Sequence, residues 1–147
     1  RIIAEVRERQ QKYKLKERWC IHLRGTDRFA TPEIKRRRFQ ELILKLVSNG
    51  LLNRRGGCII LSDDIELVNM WNARDNSPVL SKLKDTQGQA LHLYSPESLG
   101  TTKEELNIEL LIDFFTMASC KHIFSTSIDS RFFTMAKNLR PLISLIL

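Results

Sequence analysis

The sequence predicts an α/β domain built on a mostly parallel sheet, and three observations carry that expectation. Short β-prone apolar runs recur at intervals of roughly 30 residues, the length of a strand, a crossover helix and the next strand. The stretches between them space their apolar residues as helices do. The chain has 147 residues, 42% of them hydrophobic and 28% charged, which suits one domain with a sizeable core and excludes a disordered tail. It shows no internal repeat and no low-complexity segment.

The elements follow in order. Residues 2–18 carry Ile2, Ile3, Val6, Tyr13 and Leu15 among many Lys and Arg, the pattern of a basic surface helix that leads into the domain at residues 19–147. Trp19-Cys20-Ile21-His22-Leu23 is a buried strand ended by Gly25. Thr31, Pro32 and Glu33 supply a cap, a first-turn proline and a first-turn acid. The helix they open reaches about Ser48, burying Phe39, Leu42, Ile43, Leu46 and Val47, and stops at Asn49-Gly50.

Gly57 to Leu61 has no polar interruption, as befits a parallel strand covered on both faces, and Ser62-Asp63-Asp64 closes it. Residues 65–74 read as a helix, Ser77-Pro78 as a break, and residues 90–94 as a weaker strand. Lys103 to Ser119 is apolar nearly all round, which predicts a helix buried between layers. Residues 121–124 form the next strand, and a helix from Asp129 runs to about Leu139, where Pro141 stops it. The whole reads as a Rossmann-like sheet with flanking helices.

Charge and cysteine content narrow the partners. Residues 1–55 carry 16 Lys and Arg against 6 Asp and Glu, whereas residues 56–147 carry 8 against 11, within a net charge of +7. This asymmetry suits an anionic partner: nucleic acid, a membrane surface or a phosphorylated ligand. Cys20, Cys58 and Cys120 sit at the edges of apolar runs and read as buried free thiols. They make no CxxC pair, and His22, His92 and His122 lie on separate segments, so no metal site is expected. The start, Arg1-Ile2-Ile3-Ala4-Glu5, is neither a methionine nor a signal peptide, and the chain reads as an excerpt of something longer without a transmembrane segment. Absence of an Asn-x-Ser/Thr acceptor leans toward a cytoplasmic history, with a secretory lumen still open.

Function is expected in the loops at the C-terminal ends of the strands, where parallel sheets hold ligands. Three of them are polar. In the first, His22 and Arg24 alternate onto one face, and an Arg fork fits a phosphate; the competing reading is an Arg24–Asp27 ion pair that pins the loop. In the second, Asp63 and Asp64 could hold a divalent cation, a guanine edge or a ribose, or Asp63 could simply cap the helix at Ile65. The third, Ser125-Thr126-Ser127-Ile128-Asp129-Ser130, opens the last helix, where hydroxyls and amides either bind a diphosphate or serve as caps. No GxGxxG, GxxxxGK[ST] or GxSxG occurs, which argues against a nicotinamide site, a P-loop and a nucleophile elbow.

His22-x-Arg24-x-x-Asp27, Asp63-Asp64, and the run from Asp113 through Ser119-Cys120-Lys121-His122 to Ser125-Thr126-Ser127 resemble the three motifs of the GDP-fucose-dependent fucosyltransferase superfamily, the α1,6, α1,2 and protein O-fucosyltransferase group. The resemblance spans about residues 19–140. It implies the C-terminal, nucleotide-sugar-binding half of a GT-B glycosyltransferase, with GDP-fucose as donor substrate, no cofactor and no metal. It implies that Arg24 holds the β-phosphate as the catalytic residue and that His22 lines the nucleotide pocket. Asp63 lies near guanine, and Ser127 and Ser130 contact phosphate across an insertion at Ile128. Asp113 fits an acidic helix position of structural character. Many members follow the first arginine with a second, where this chain has Gly25. Glu33 matches a candidate base position and equally a first-turn helix acid. The implied partners are a nucleotide sugar, a glycan or protein acceptor and an acceptor-binding N-terminal domain; DNA is not expected. Two alternatives remain: an inactive Rossmann-like interaction domain, and a nucleic-acid or acidic-partner module using Arg36-Arg37-Arg38.

Overall fold

Alternation along the strands decides the layering. The computed structural model describes residues 1–25, 31–50, 57–83, 95–127 and 131–146. In β1 (Trp19–Leu23) and β2 (Cys58–Ser62), Ile21, Leu23, Cys58 and Ile60 point to one face, and Cys20, Ile59 and Leu61 to the other. The first face packs under α2 (Pro32–Ser48) and α3 (Ile65–Asn72) through Phe39, Leu42, Ile43, Leu46, Leu67, Val68 and Trp71. The second packs under α4 (Lys103–Ser119) and α5 (Arg131–Ile146) through Met117, Ala118, Phe133, Ala136 and Ile143. Each fully buried large side chain contributes about 1.5–3 kcal/mol, so both faces of the sheet are held. Between α4 and α5 runs β3 (His122–Ser125).

The three strands are parallel in the order β2-β1-β3. Register pairs Trp19 with Cys58 and His122, and His22 with Leu61 and Ser125. A parallel Ile60–Val79 bridge, with Leu80 N donating to Ile60 O at 3.0 Å, adds an edge beside β2. Ser77-Pro78, read from sequence as a break, thus leads straight into a sheet-edge segment; its brevity hid the pattern. The strand expected at 90–94 lies outside the described residues. All three cysteines are free and buried. Among the described residues no helix is long and apolar enough to cross a membrane.

Four expectations need correction, the first being Val47, which its spacing put on the buried face of α2 and which is exposed. The lead-in is α1 (Ile2–Tyr13), a left-handed Lys14 at φ 53° and a 3-10 turn at Leu15–Glu17, and it is built into the fold: Val6 and Leu15 are fully buried. Arg9 pairs with Asp113 Oδ1 at 3.0 Å and donates to Thr116 Oγ1 and Leu80 O. Next, α4 is not covered all round, since it buries Ile112, Thr116, Met117 and Ala118 but leaves Leu110 and Leu111 exposed. Finally, α5 runs through Pro141 rather than ending before it. An interior proline costs about 3 kcal/mol, and burying Ile143 one turn into the core offsets much of it.

Candidate functional site

The order β2-β1-β3 carries the chain outward from β1 to one side and then to the other. At such a reversal the two loops leaving neighbouring strand ends diverge onto opposite faces and open a crevice. Here that reversal falls between β1 and β3, so Arg24 and Gly25 leave β1 beside Thr126 and Ser127 at the end of β3, while Asp63 and Asp64 stand at the end of β2. The three sequence motifs therefore meet at one edge, as alternation of strands and helices predicts.

Hydrogen bonds stitch the edge together beyond the strands. Thr126 N donates to His22 O at 3.0 Å, Arg24 N donates to Thr126 Oγ1 at 2.9 Å, and the Thr126 hydroxyl donates back to Arg24 O. On the other flank Gly25 N donates to Asp63 Oδ1 at 2.8 Å and Ser62 Oγ donates to Leu23 O at 2.7 Å. These bonds hold the loops leaving β1, β2 and β3 in place without a ligand.

His22 and Ser125 sit opposite each other in register, and their side chains meet, Nδ1 to Oγ, at 3.0 Å. Both are buried, and Ser125 Oγ also accepts from Ser127 N at 3.0 Å. The His22 ring packs on Phe132 of α5 at 5.5 Å. Burial pulls the His22 pKa down to about 4; the Asp63 charge opposes that and the Arg24 charge adds to it. His22 is neutral at pH 7, and it braces β1 against β3. Ser125 and Thr126 are committed to the same bracing, which leaves the half-buried Ser127 as the accessible hydroxyl of this loop among the described residues.

Arg24 is half-buried, and none of the ion pairs among the described residues takes up its guanidinium. Asp27, its alternative partner, and Ser130, the second expected phosphate contact, lie outside the described residues. So do Ile128 and Asp129.

Asp64, expected to face the ligand, turns inward. It is the N-cap of α3, its Oδ1 accepting from Glu66 N at 2.8 Å and Leu67 N at 3.3 Å. The capping role assigned to Asp63 thus belongs to its neighbour, one residue along. Asp63 instead receives the Gly25 amide. Asp64 Oδ2 pairs with Lys35 Nζ at 2.5 Å, both side chains being almost fully buried. Lys35 escaped the sequence reading because it precedes Arg36-Arg37-Arg38 in a basic run. Its spacing was the available signal: it stands four residues before Phe39 and seven before Leu42, on the buried stripe of α2. Arg36 and Arg37 are exposed.

Gly25 has a steric reason to be glycine. A Cβ there would overlap the Asp64 carboxylate and stand 2.6 Å from Asp64 Cβ, so the second arginine of the resembled family does not fit this edge. Asp113 lies away from the crevice lip, receiving Ser81 Oγ at 2.5 Å and Arg9; burial raises its pKa against both partners. Ser81 Oγ in turn accepts Ser62 N, tying this network to the end of β2. Glu33 is an exposed acid in the first turn of α2. A groove of about 550 Å³ between α1, α4 and α5 is lined by Ile2, Ile3, Val6, Ile108, Phe115 and Ile143 and by Arg1, whose guanidinium is taken up by Glu5 and Glu105, so its walls are mainly apolar.

No protein-family model, curated protein or solved structure matches this chain.

Proposed function

We propose that this domain binds GDP-fucose and supplies the donor side of an inverting fucosyltransferase of GT-B type. The observation that carries the reading is that hydrogen bonds gather the loops leaving all three strands at one edge, Arg24 N donating to Thr126 Oγ1 and Gly25 N to Asp63 Oδ1. A half-buried guanidinium beside the Ser127 hydroxyl suits a diphosphate, and a carboxylate suits the adjacent N1–H and N2–H donors of guanine. The motif order and the resemblance to fucosyltransferases choose the sugar and the reaction.

In that reading an acceptor hydroxyl oxygen bonds to the fucose C1 from the face opposite GDP, and the bond from C1 to the β-phosphate oxygen breaks. GDP leaves with the electron pair, and the hydroxyl proton passes to a base. Negative charge grows on the β-phosphate as the bond stretches, and Arg24 opposes it more strongly in the transition state than in the ground state. A glycan or protein acceptor is bound by a second domain, so the domain described here binds donor better than it transfers.

Calorimetric titration with GDP-fucose, GDP-mannose, UDP-glucose and ADP tests the reading. The guanine nucleotides bind in clear preference, and EDTA leaves their affinity unchanged. Equal affinity for all bases would remove Asp63 from guanine, and strict Mg²⁺ dependence would reassign it to a metal.

A further inference from the structure

A carboxylate pair beside a diphosphate repels it unless a cation intervenes, and at this edge the cation is Lys35. The apolar stripe of α2 carries Lys35 inward, where its Nζ stands 2.5 Å from Asp64 Oδ2 and 3.6 Å from Glu66 Oε2. Its side chain is 7% exposed and that of Asp64 3%. Two amides of α3 donate to Asp64 Oδ1, and the helix N-terminus lies beside it. Among the described residues Oδ2, itself buried, has no hydrogen-bond donor and faces the Lys35 ammonium. Asp64 also presses on Gly25, whose amide holds Asp63.

We propose that Lys35 is a positioning residue for diphosphate recognition: it neutralises Asp64, so that the crevice beside Arg24 receives an anion, and it holds Asp64 against the Arg24-Gly25 turn. The inference rests on the donor-site reading above. Buried charges are weakly screened, so an Asp64 stripped of its partner acts on a phosphate a few residues away even at physiological salt. The effect falls on the phosphates and not on the base.

The test titrates GDP, guanosine and inorganic pyrophosphate into the wild-type chain, Lys35→Met, Asp64→Asn and the double variant, well below each melting temperature. Lys35→Met loses about tenfold or more in affinity for GDP and pyrophosphate while guanosine stays within about twofold. In the double variant the unpaired charge is gone and Asn still caps α3, so GDP affinity returns to within about threefold of wild type. Asp64→Asn alone tightens GDP and pyrophosphate while guanosine stays within about twofold, because the Lys35 charge is then unopposed, and it carries the test if Lys35→Met does not fold. A merely supporting role lowers melting temperature and leaves the ratio of GDP to guanosine affinity fixed; that result overturns the proposal and leaves the donor site standing. Weakening of GDP by tenfold in Asp64→Asn also overturns it. Absence of GDP and pyrophosphate binding in the wild type overturns both. Binding indifferent to base yet sensitive to Lys35 upholds the proposal and removes only the guanine assignment.

Discussion

His22 lies at the strand end to which alternation assigned it, and its ring also braces β1 against β3. Alternation along β1 placed it at the ligand edge beside Arg24, which is where it lies, but its contact with Ser125 depends on the register of β1 against β3, a long-range fact that local pattern does not carry. Its folded pKa, about 4, lies below the ordinary 6.5. Between those values the unfolded chain binds a proton that the folded chain refuses. Stability is therefore present above pH 6.5 and is lost as pH falls toward 4. From pH 7.5 to 5 the loss is about 2 kcal/mol, and His22→Asn removes that share of the slope, as urea unfolding at the two pH values measures. Arg24 is tested differently. In a transferase containing this domain, Arg24→Lys raises the barrier by about 2–4 kcal/mol, because a point charge on a flexible stem replaces neither the fork nor its rigidity. Turnover falls more than GDP affinity. Near-wild-type turnover in that variant contradicts a catalytic Arg24.

At the scale of elements, the helices with one apolar stripe were legible. The Thr31-Pro32-Glu33 start and the 39, 42, 43, 46 stripe of α2 specify one capped helix with one buried face, and both are local. α4 was harder. Leu110 and Leu111 gave it an all-round apolar pattern, and which side is covered depends on where α1 and α5 pack. In α5, Pro141 argues locally for a stop, and the burial of Ile143 that overrides it is tertiary. α1 read as a basic surface helix because its key residue, Arg9, looks like any surface arginine until Asp113, Thr116 and Leu80 are brought around it. Arg9→Ala leaves Asp113 short of its cation and costs about 2 kcal/mol or more in urea unfolding. A change within about 0.5 kcal/mol would return α1 to the status of a surface attachment.

For the whole molecule, the parallel sheet and its functional edge followed from the order of strands and helices, because crossover connections leave few other arrangements. Strand order did not follow. That β1 sits between β2 and β3, so that the reversal of strand order falls beside Arg24 and not beside Asp63, is a property of the assembled sheet. The same topology distinguishes this edge from the apolar groove at the far side of α1, α4 and α5. Amide chemical-shift mapping of GDP on the labelled wild-type chain tests that distinction most directly. Shifts concentrated at Arg24, Gly25, Asp63, Thr126 and Ser127, with Ile3, Ile108 and Ile143 unmoved, are the predicted result. Shifts confined to the groove, or none at saturating GDP, would contradict a nucleotide site at the ends of β1, β2 and β3.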